Sequence, residues 1–210
     1  MKKNFWIKIV LALIGILFIG VGVGFNAASL FGNDPIALLY DGVRNALSLP
    51  VSRLGMISNV VNYSIIILLL FIGRHYVNIG TAVYILPFGT FVNLGTKLFS
   101  QIFIGDSVFV RGIGAFFGCL LIYVGVSIYI TVDIGLDPFT GLVMTINDHL
   151  SWEFAKTKIC FDFILITIGI LLGGKVGLIT LITALTAGPS IQYFTKGLKR
   201  LKNRINQGNN

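Results

Sequence analysis

Two Asp-Pro pairs are the residues of this sequence best placed to do chemistry. Asp34-Pro35 and Asp137-Pro138 each follow a long apolar segment and open a short one. Proline is favoured in the first turn of a helix, and an aspartate before it caps the free N–H groups of that turn. Each pair therefore predicts a helix start after a break in the chain. Paired breaks of this kind in membrane helices also indicate a solute-binding site.

The two aspartates restrict what such a site would bind. A bare helix N-terminus attracts anions, but here Asp34 and Asp137 bring carboxylates to those positions. We therefore expect an unidentified small polar, zwitterionic or cationic solute, or a coupled proton. Helix capping alone is the other interpretation of both pairs.

Asp162 is the next candidate, because an ionisable side chain inside an apolar helix is costly and is by default a functional hypothesis. Lys158 lies four residues earlier and therefore on the same helix face, so an ion pair within the helix is an equally good interpretation. Asn59 occupies the matching position 103 residues earlier. The pattern predicts a site with one titratable side and one neutral side.

Two amides complete the set of candidates. Asn93 and Gln192 follow Pro87 and Pro189 in two further apolar segments, and proline inside a helix favours a kink or unwinding. Such a break would turn both amides inward, while a plain packing kink is the alternative. The predicted substrate-binding residues are Asp34, Asp137, Asn59, Asp162, Asn93 and Gln192.

Catalytic patterns are missing from the sequence. We find no nucleophile–base pair, no phosphate-binding loop and no cluster with metal-ligand spacing. The expectation is therefore a protein that is not an enzyme and that uses no metal and no cofactor.

Composition and charge predict where these residues lie. The chain is 55% hydrophobic and only 11% charged, against about 25% charged residues in soluble domains, which predicts a lipid bilayer as the main partner. The net charge of +8 lies entirely at the two termini. That excludes a basic groove for nucleic acid, and it predicts that both termini are cytoplasmic, with an even number of membrane crossings.

A repeat organises the chain. Sliding the sequence by 103 residues aligns the two Asp-Pro pairs, and after a four-residue gap an offset of 99 aligns Asn93 with Gln192. We expect a first membrane repeat at 1–107, a second at 108–197 and a basic cytoplasmic tail at 198–210. The predicted long helices are 8–30, 53–73, 80–100, 110–132, 156–172 and 176–197, and the predicted short segments are 35–49 and 138–150.

The fold class is thus an all-α polytopic membrane helix bundle of two sequence-related halves. Six crossings with two short re-entrant or interfacial helices would make the halves inverted; eight crossings would make them parallel. Segment length favours six crossings, because a helix needs about 20 residues to cross the hydrocarbon. The placement of basic loop residues favours eight.

The motifs also carry a family resemblance. Gly-Val-Gly-Phe-Asn-Ala-Ala at 22–28, Leu-Phe-Gly-Asn-Asp-Pro at 30–35, Val-Asp-Ile-Gly-Leu-Asp-Pro-Phe-Thr-Gly at 132–141 and Thr-Ala-Gly-Pro-Ser-Ile-Gln at 186–192 resemble the YczE/YyaS/YitT group of bacterial membrane proteins, closest to its short YczE-like members. The resemblance implies a bacterial plasma-membrane protein with no agreed substrate, for which transport is the usual expectation.

Two functional hypotheses follow. The first is a small-solute transporter or channel with a central polar site between the two repeats. The second is a non-transporting membrane scaffold that assists the assembly of a partner protein, using its small-xxx-small faces and basic tail. Such faces also allow a homo-oligomer.

Overall fold

The computed structural model describes residues 2–50, 53–105 and 107–208, and all regular structure within them is helical. The prediction of an all-α bundle is confirmed. The helices are α1 (Lys2–Ser29), α2 (Pro35–Ala46), α3 (Leu54–Ile72), α4 (Ile79–Ile102), α5 (Val108–Val132), α6 (Pro138–Leu150), α7 (Phe154–Leu171) and α8 (Leu178–Gly208), with a 3₁₀ turn at Arg74–Tyr76.

Three of these helices are long and apolar enough to cross a membrane: Phe5–Ser29, Ile79–Ile102 and Val108–Val132. At 1.5 Å per residue each exceeds the thickness of the hydrocarbon layer, which is about 30 Å. Large apolar side chains such as Phe71 and Leu86 are highly exposed on the outside of the bundle. A surface of this kind suits lipid rather than water.

Helices α1 and α5 cross at glycines and run antiparallel. A Cβ atom placed on Gly15 would lie 2.9 Å from the Gly125 carbonyl oxygen, and one on Gly22 would lie 2.6 Å from the Gly118 carbonyl oxygen. Because the earlier residue of α1 meets the later residue of α5, the two helices point in opposite directions. Glycine permits this backbone contact where lipid supplies no hydrophobic drive.

Helices α1 and α4 are equally close but parallel. Gly20 lies against Phe91, and Gly24 lies against Gly95 and its neighbours, so both helices advance together. The first half therefore runs from one end of the bundle to the other an odd number of times. These helix directions agree with the prediction of inverted halves, because parallel halves of four helices each would make α1 and α4 run in opposite directions.

The second half has the same helix arrangement in the opposite orientation. Tyr123 Oη lies 2.7 Å from Thr186 Oγ1, and Ser127 Oγ donates to the Ile191 carbonyl at 3.1 Å, so α5 and α8 are parallel. Since α5 opposes α1, the helix pair α5–α8 is inverted relative to α1–α4.

The two short helices pack across the halves. Helix α2 lies on α7, with Gly42 against Gly169, and α6 lies on α3, with Gly141 against Leu69. Each half therefore contributes its short helix to the other half, which holds the two together.

Both chain-terminal helices reach the same end of the bundle. Lys8 Nζ donates to the Asp133 carbonyl at 3.5 Å, and Lys202 Nζ donates to the Thr131 carbonyl at 3.1 Å. We call this the terminal end and the other the loop end, where Asn45 Nδ2 donates to the Gly173 carbonyl at 2.7 Å.

The two internal prolines differ from expectation. Helices α4 and α8 continue without interruption through Pro87 and Pro189. Each proline removes one N–H donor from the helix, and the turns on either side keep the helix intact. The expected unwinding at these positions does not occur.

Candidate functional site

The first break turns the chain back into the bundle. Helix α1 ends at Ser29, and Gly32 follows with a φ of +94°, a left-handed conformation that only glycine adopts without strain. Asp34 then caps α2, and its Oδ1 accepts hydrogen bonds from Ile36 N at 3.0 Å and Ala37 N at 3.3 Å. The predicted helix start is confirmed.

The second break has the same construction. Gly135 has a φ of +124°, and Asp137 caps α6 by accepting a hydrogen bond from Thr140 N at 2.9 Å. In each case the capped helix begins inside the bundle and runs outward, α2 toward the loop end and α6 toward the terminal end. At 12 and 13 residues the two helices are about 20 Å long. This is about half the length of a helix that crosses both the hydrocarbon layer and the headgroup regions.

In each half, a threonine near the start of the last helix donates a hydrogen bond to the backbone of the break in the other half. Thr81 Oγ1 donates to the Leu136 carbonyl at 2.8 Å, and Thr180 Oγ1 donates to the Asn33 carbonyl at 2.6 Å. The threonines are 99 residues apart and the carbonyls 103, the same offsets that align the sequence repeat. The two breaks are thus equivalent in structure as well as in sequence.

Asp34 and Asp137 line one cavity. Its volume is about 70 Å³, and Ile19 and Val23 of α1 also line it, so it lies well inside the bundle rather than at either end. The N-termini of α2 and α6 therefore converge here. The remaining walls are largely aromatic and aliphatic: Tyr40, Tyr84, Phe88, Ile122, Tyr123, Val126, Phe139, Ala187 and Ile191.

Helix α7 brings a third carboxyl group and an amine to the same cavity. Lys158 Nζ donates to Asp162 Oδ1, as the spacing of the two residues predicts. Both side chains are buried, and both line the cavity with Asp34 and Asp137. The described lining thus holds three carboxyl groups and one amine.

Two carboxylate oxygens of this cavity have no partner. Asp137 Oδ2 and Asp162 Oδ2 are buried, and neither has a hydrogen bond within the described residues. Burying a polar atom without a partner costs free energy, so each such atom in a folded protein calls for an explanation. Both atoms belong to residues that line the cavity.

The other predicted site residues lie elsewhere. Asn59 and Asn93 are exposed on the outside of the bundle, and neither lines the cavity. Gln192 is half-buried, and its Oε1 accepts a hydrogen bond from Ala155 N at 3.3 Å, which joins α8 to the start of α7. The amides therefore do not join the carboxyl groups of the cavity.

Several cavity residues are not among those that the sequence predicts. Tyr84 and Phe88 stack with ring centroids 5.0 Å apart, and Tyr40 donates to Asn62 Oδ1 at 3.1 Å. Tyr84 and Phe88 are spaced at four residues on α4, which is the only sequence signal that placed them on one face.

A second pocket, of about 390 Å³ and with a more polar lining, opens at the terminal end. Tyr76 donates to Asp148 Oδ2 at 2.7 Å beside Lys199 and Lys202. Burial, reinforced by the bond to Asp148, raises the pKa of Tyr76, so the phenol stays protonated as the donor. No group of three or more His, Cys, Asp or Glu side chains within the described ranges is arranged to hold a metal ion.

Fold and cavity together define a class: an all-α bundle of the membrane type, in two inverted halves, whose short helices start at a largely apolar cavity that holds three carboxyl groups and one amine. The chain belongs to a family of unknown function, DUF6198, whose model matches residues 6–196. It is similar to an uncharacterized protein of Haemophilus influenzae, with 24% identity over 189 residues that cover 90% of this chain and 84% of the relative. No solved structure matches.

Proposed function

We propose that this protein is a small-solute membrane transporter or channel whose solute binds in the central cavity. One observation carries the proposal: Asp34 and Asp137, which cap two equivalent inward-facing helix N-termini, line the same buried cavity. Interrupted helices that meet inside a bundle of inverted repeats are the usual construction of solute sites in secondary transporters.

The membrane arrangement belongs to the same proposal. The six long helices cross the bilayer of a bacterial plasma membrane, and α2 and α6 enter it from opposite sides. The terminal end, which carries Lys8, Lys199 and Lys202, faces the cytoplasm, in keeping with the positive-inside rule. The motifs shared with the YczE/YyaS/YitT group support this localisation.

The solute is small and polar, zwitterionic or cationic. Helix N-termini attract anions, but in this cavity both N-termini are already covered by carboxylates, and Asp162 adds a third. Lys158 balances one of them. The excess of carboxyl groups repels anions and favours a solute that brings positive charge or N–H donors.

Flux through proteoliposomes tests the proposal. The purified protein is reconstituted, and uptake of a panel of small cations, zwitterions and neutral polar solutes is compared with uptake into protein-free liposomes. Asp137→Asn is the test variant, because asparagine caps a helix as well as aspartate but carries no charge. Asp148→Asn is the matched control, since that exposed side chain lies outside the cavity.

We expect uptake of at least one solute by the wild type and by the control, and a loss of about tenfold or more in Asp137→Asn. Equal uptake by all three proteins would place the transport route elsewhere.

The second candidate is a non-transporting scaffold. One observation favours it: an exposed apolar groove of about 810 Å³ between α5 and α8, which a partner's membrane helix would fill. Purification of a stoichiometric partner together with an absence of flux for the whole panel would support this candidate against the first.

A further inference from the structure

The central cavity has the size, charge and walls of a site for one small protonated amine. We propose that it binds ammonium or methylammonium, whose N–H groups donate to Asp137 Oδ2 and Asp162 Oδ2. This rests on the proposed function and narrows its solute class.

Two buried carboxylate oxygens of the cavity residues have no hydrogen-bond partner within the described residues. Asp137 is 5% exposed and Asp162 is not exposed at all, and one oxygen of each accepts a bond from the protein while the other accepts none within the described residues. Hydrogen bonds to a charged donor are the strongest way to satisfy a buried carboxylate oxygen. The cavity therefore presents two acceptors and needs a donor.

The charge of the cavity lining favours a cation. Three carboxyl groups face Lys158, which is the one basic side chain of the described lining. A buried charge is tolerated when it is paired and hydrogen-bonded. One additional cation brings the lining closer to neutrality, and Lys158 itself demonstrates that an alkylammonium group is accommodated against Asp162.

The volume of the cavity limits the solute to a small ion. A cavity of about 70 Å³ has room for only a few water-sized groups. Pockets that hold drug-sized ligands measure about 300 Å³ or more. An ammonium or methylammonium ion fits this space, whereas an amino acid or a larger osmolyte does not.

The cavity walls suit an amine better than a metal ion. The described residues contain no group of three or more His, Cys, Asp or Glu side chains arranged to hold a metal. Hard cations require a shell of about six or more oxygens. Here the stacked rings of Tyr84 and Phe88 form one wall of the cavity. Tyr40 packs edge-on against Phe139, with their ring centroids 5.8 Å apart. Aromatic faces attract organic cations and ammonium groups.

Binding is measured on the purified full-length protein in detergent, by calorimetry and by thermal unfolding. The probes are the chlorides of ammonium and methylammonium. Sodium chloride, potassium chloride and tetramethylammonium chloride at equal ionic strength are the controls, because the first two lack N–H donors and the third is both larger and without donors. We expect saturable binding and a rise in unfolding temperature for the two probes alone.

Variants locate the site. Asp137→Asn keeps the α6 cap and should weaken ammonium binding about tenfold or more, while Asp148→Asn should bind as the wild type does. If Asp162→Asn does not fold, the double variant Lys158→Met/Asp162→Leu removes both charges together, retains the packing volume and should still lose binding.

Two results would overturn this inference. One is equal binding of sodium or tetramethylammonium; the other is unchanged ammonium binding in Asp137→Asn. If ammonium does not bind but Asp137-dependent flux of another solute is found, the inference falls and the proposed function stands. If ammonium binds at Asp137 and no solute crosses proteoliposomes, the cavity is an ammonium site and the proposed transport function falls.

Discussion

The helix pairs α1–α4 and α5–α8 occupy equivalent places in the two halves, but they pack in different ways. In the first half the backbones touch: a Cβ atom on Gly24 would lie 2.4 Å from the Val92 carbonyl oxygen, and one on Gly95 would lie 2.4 Å from the Val21 carbonyl oxygen. No side chain separates these helices at that point.

In the second half side chains separate the helices. At the offset of 103, Tyr123 and Ser127 replace Gly20 and Gly24. Tyr123 forms a hydrogen bond with Thr186 across the pair, and an exposed apolar groove of about 810 Å³ lies between α5 and α8. Tyr123 lines both this groove and the central cavity, so its side chain lies between the two.

The buried ion pair also belongs to the second half. Asp162 and Lys158 are buried on α7, whereas Asn59, at the position that matches Asp162, is exposed on α3. The two halves therefore share one arrangement of helices but differ in packing: the first half brings backbone against backbone, while the second carries the buried ion pair and the looser wall. The following changes test this division.

The largest effect is expected from Asp162→Asn. It leaves the Lys158 ammonium buried without its partner, which should lower the free energy of unfolding by about 3–5 kcal/mol. The double variant Lys158→Met/Asp162→Leu should recover most of that loss. Thermal or denaturant unfolding in detergent provides the measurement, and a double variant as unstable as the single one would contradict a simple pairing role.

Tight packing of the first half is tested by Gly24→Ala. The added methyl group would overlap the α4 backbone, and we expect a loss of about 1–3 kcal/mol of unfolding free energy. Gly89→Ala on α4 is the matched control, because nothing lies within 4 Å of the added Cβ atom there. Alanine should stabilise that helix by up to about 1 kcal/mol. Equal stability of the two variants would show that the backbones are not in contact.

The looser wall is tested by Tyr123→Phe. This variant loses the 2.7 Å hydrogen bond to Thr186 but keeps the ring between cavity and groove, so its unfolding free energy should fall by only about 0.5–1.5 kcal/mol. Thr186→Val should give a similar loss, and the double variant should be no less stable than either single variant. Additive losses would mean that the hydroxyl groups act independently.

The smallest effect is expected from Asn59→Ala. Asn59 is exposed and lies outside the cavity. The unfolding free energy of the variant should therefore stay within about 0.5 kcal/mol of the wild type. Its solute flux should equal that of the wild type within experimental error. A marked loss of flux would return Asn59 to the site that the sequence assigned to it and would weaken the contrast between the halves.

Local signals explain what could be predicted. Proline, glycine and the capping aspartates act within a few residues, so the helix starts at Pro35 and Pro138 could be found from the sequence. The ion pair between Lys158 and Asp162 followed from helix spacing in the same way.

The inward face of each helix could not be predicted in this manner. In a soluble protein the apolar stripe marks the core, but a helix surrounded by lipid is apolar on every side. The repeat match of Asn59 to Asp162 and the proline before Asn93 predict an inward face that neither residue has. No local pattern marks Tyr84, Phe88 and Tyr123 as cavity walls. Tertiary contact between the halves, which the sequence does not encode locally, decides these orientations.

Cysteine accessibility tests most directly whether the halves are inverted around a cavity inside the membrane. Single cysteines at Arg53 and Arg74, two exposed positions flanking α3, are introduced after replacement of Cys119 and Cys160, and intact cells are treated with a membrane-impermeant maleimide. We predict labelling of Arg53→Cys from outside and of Arg74→Cys only after the cells are opened. The reverse pattern would mean that α2 crosses the bilayer, and it would contradict the account.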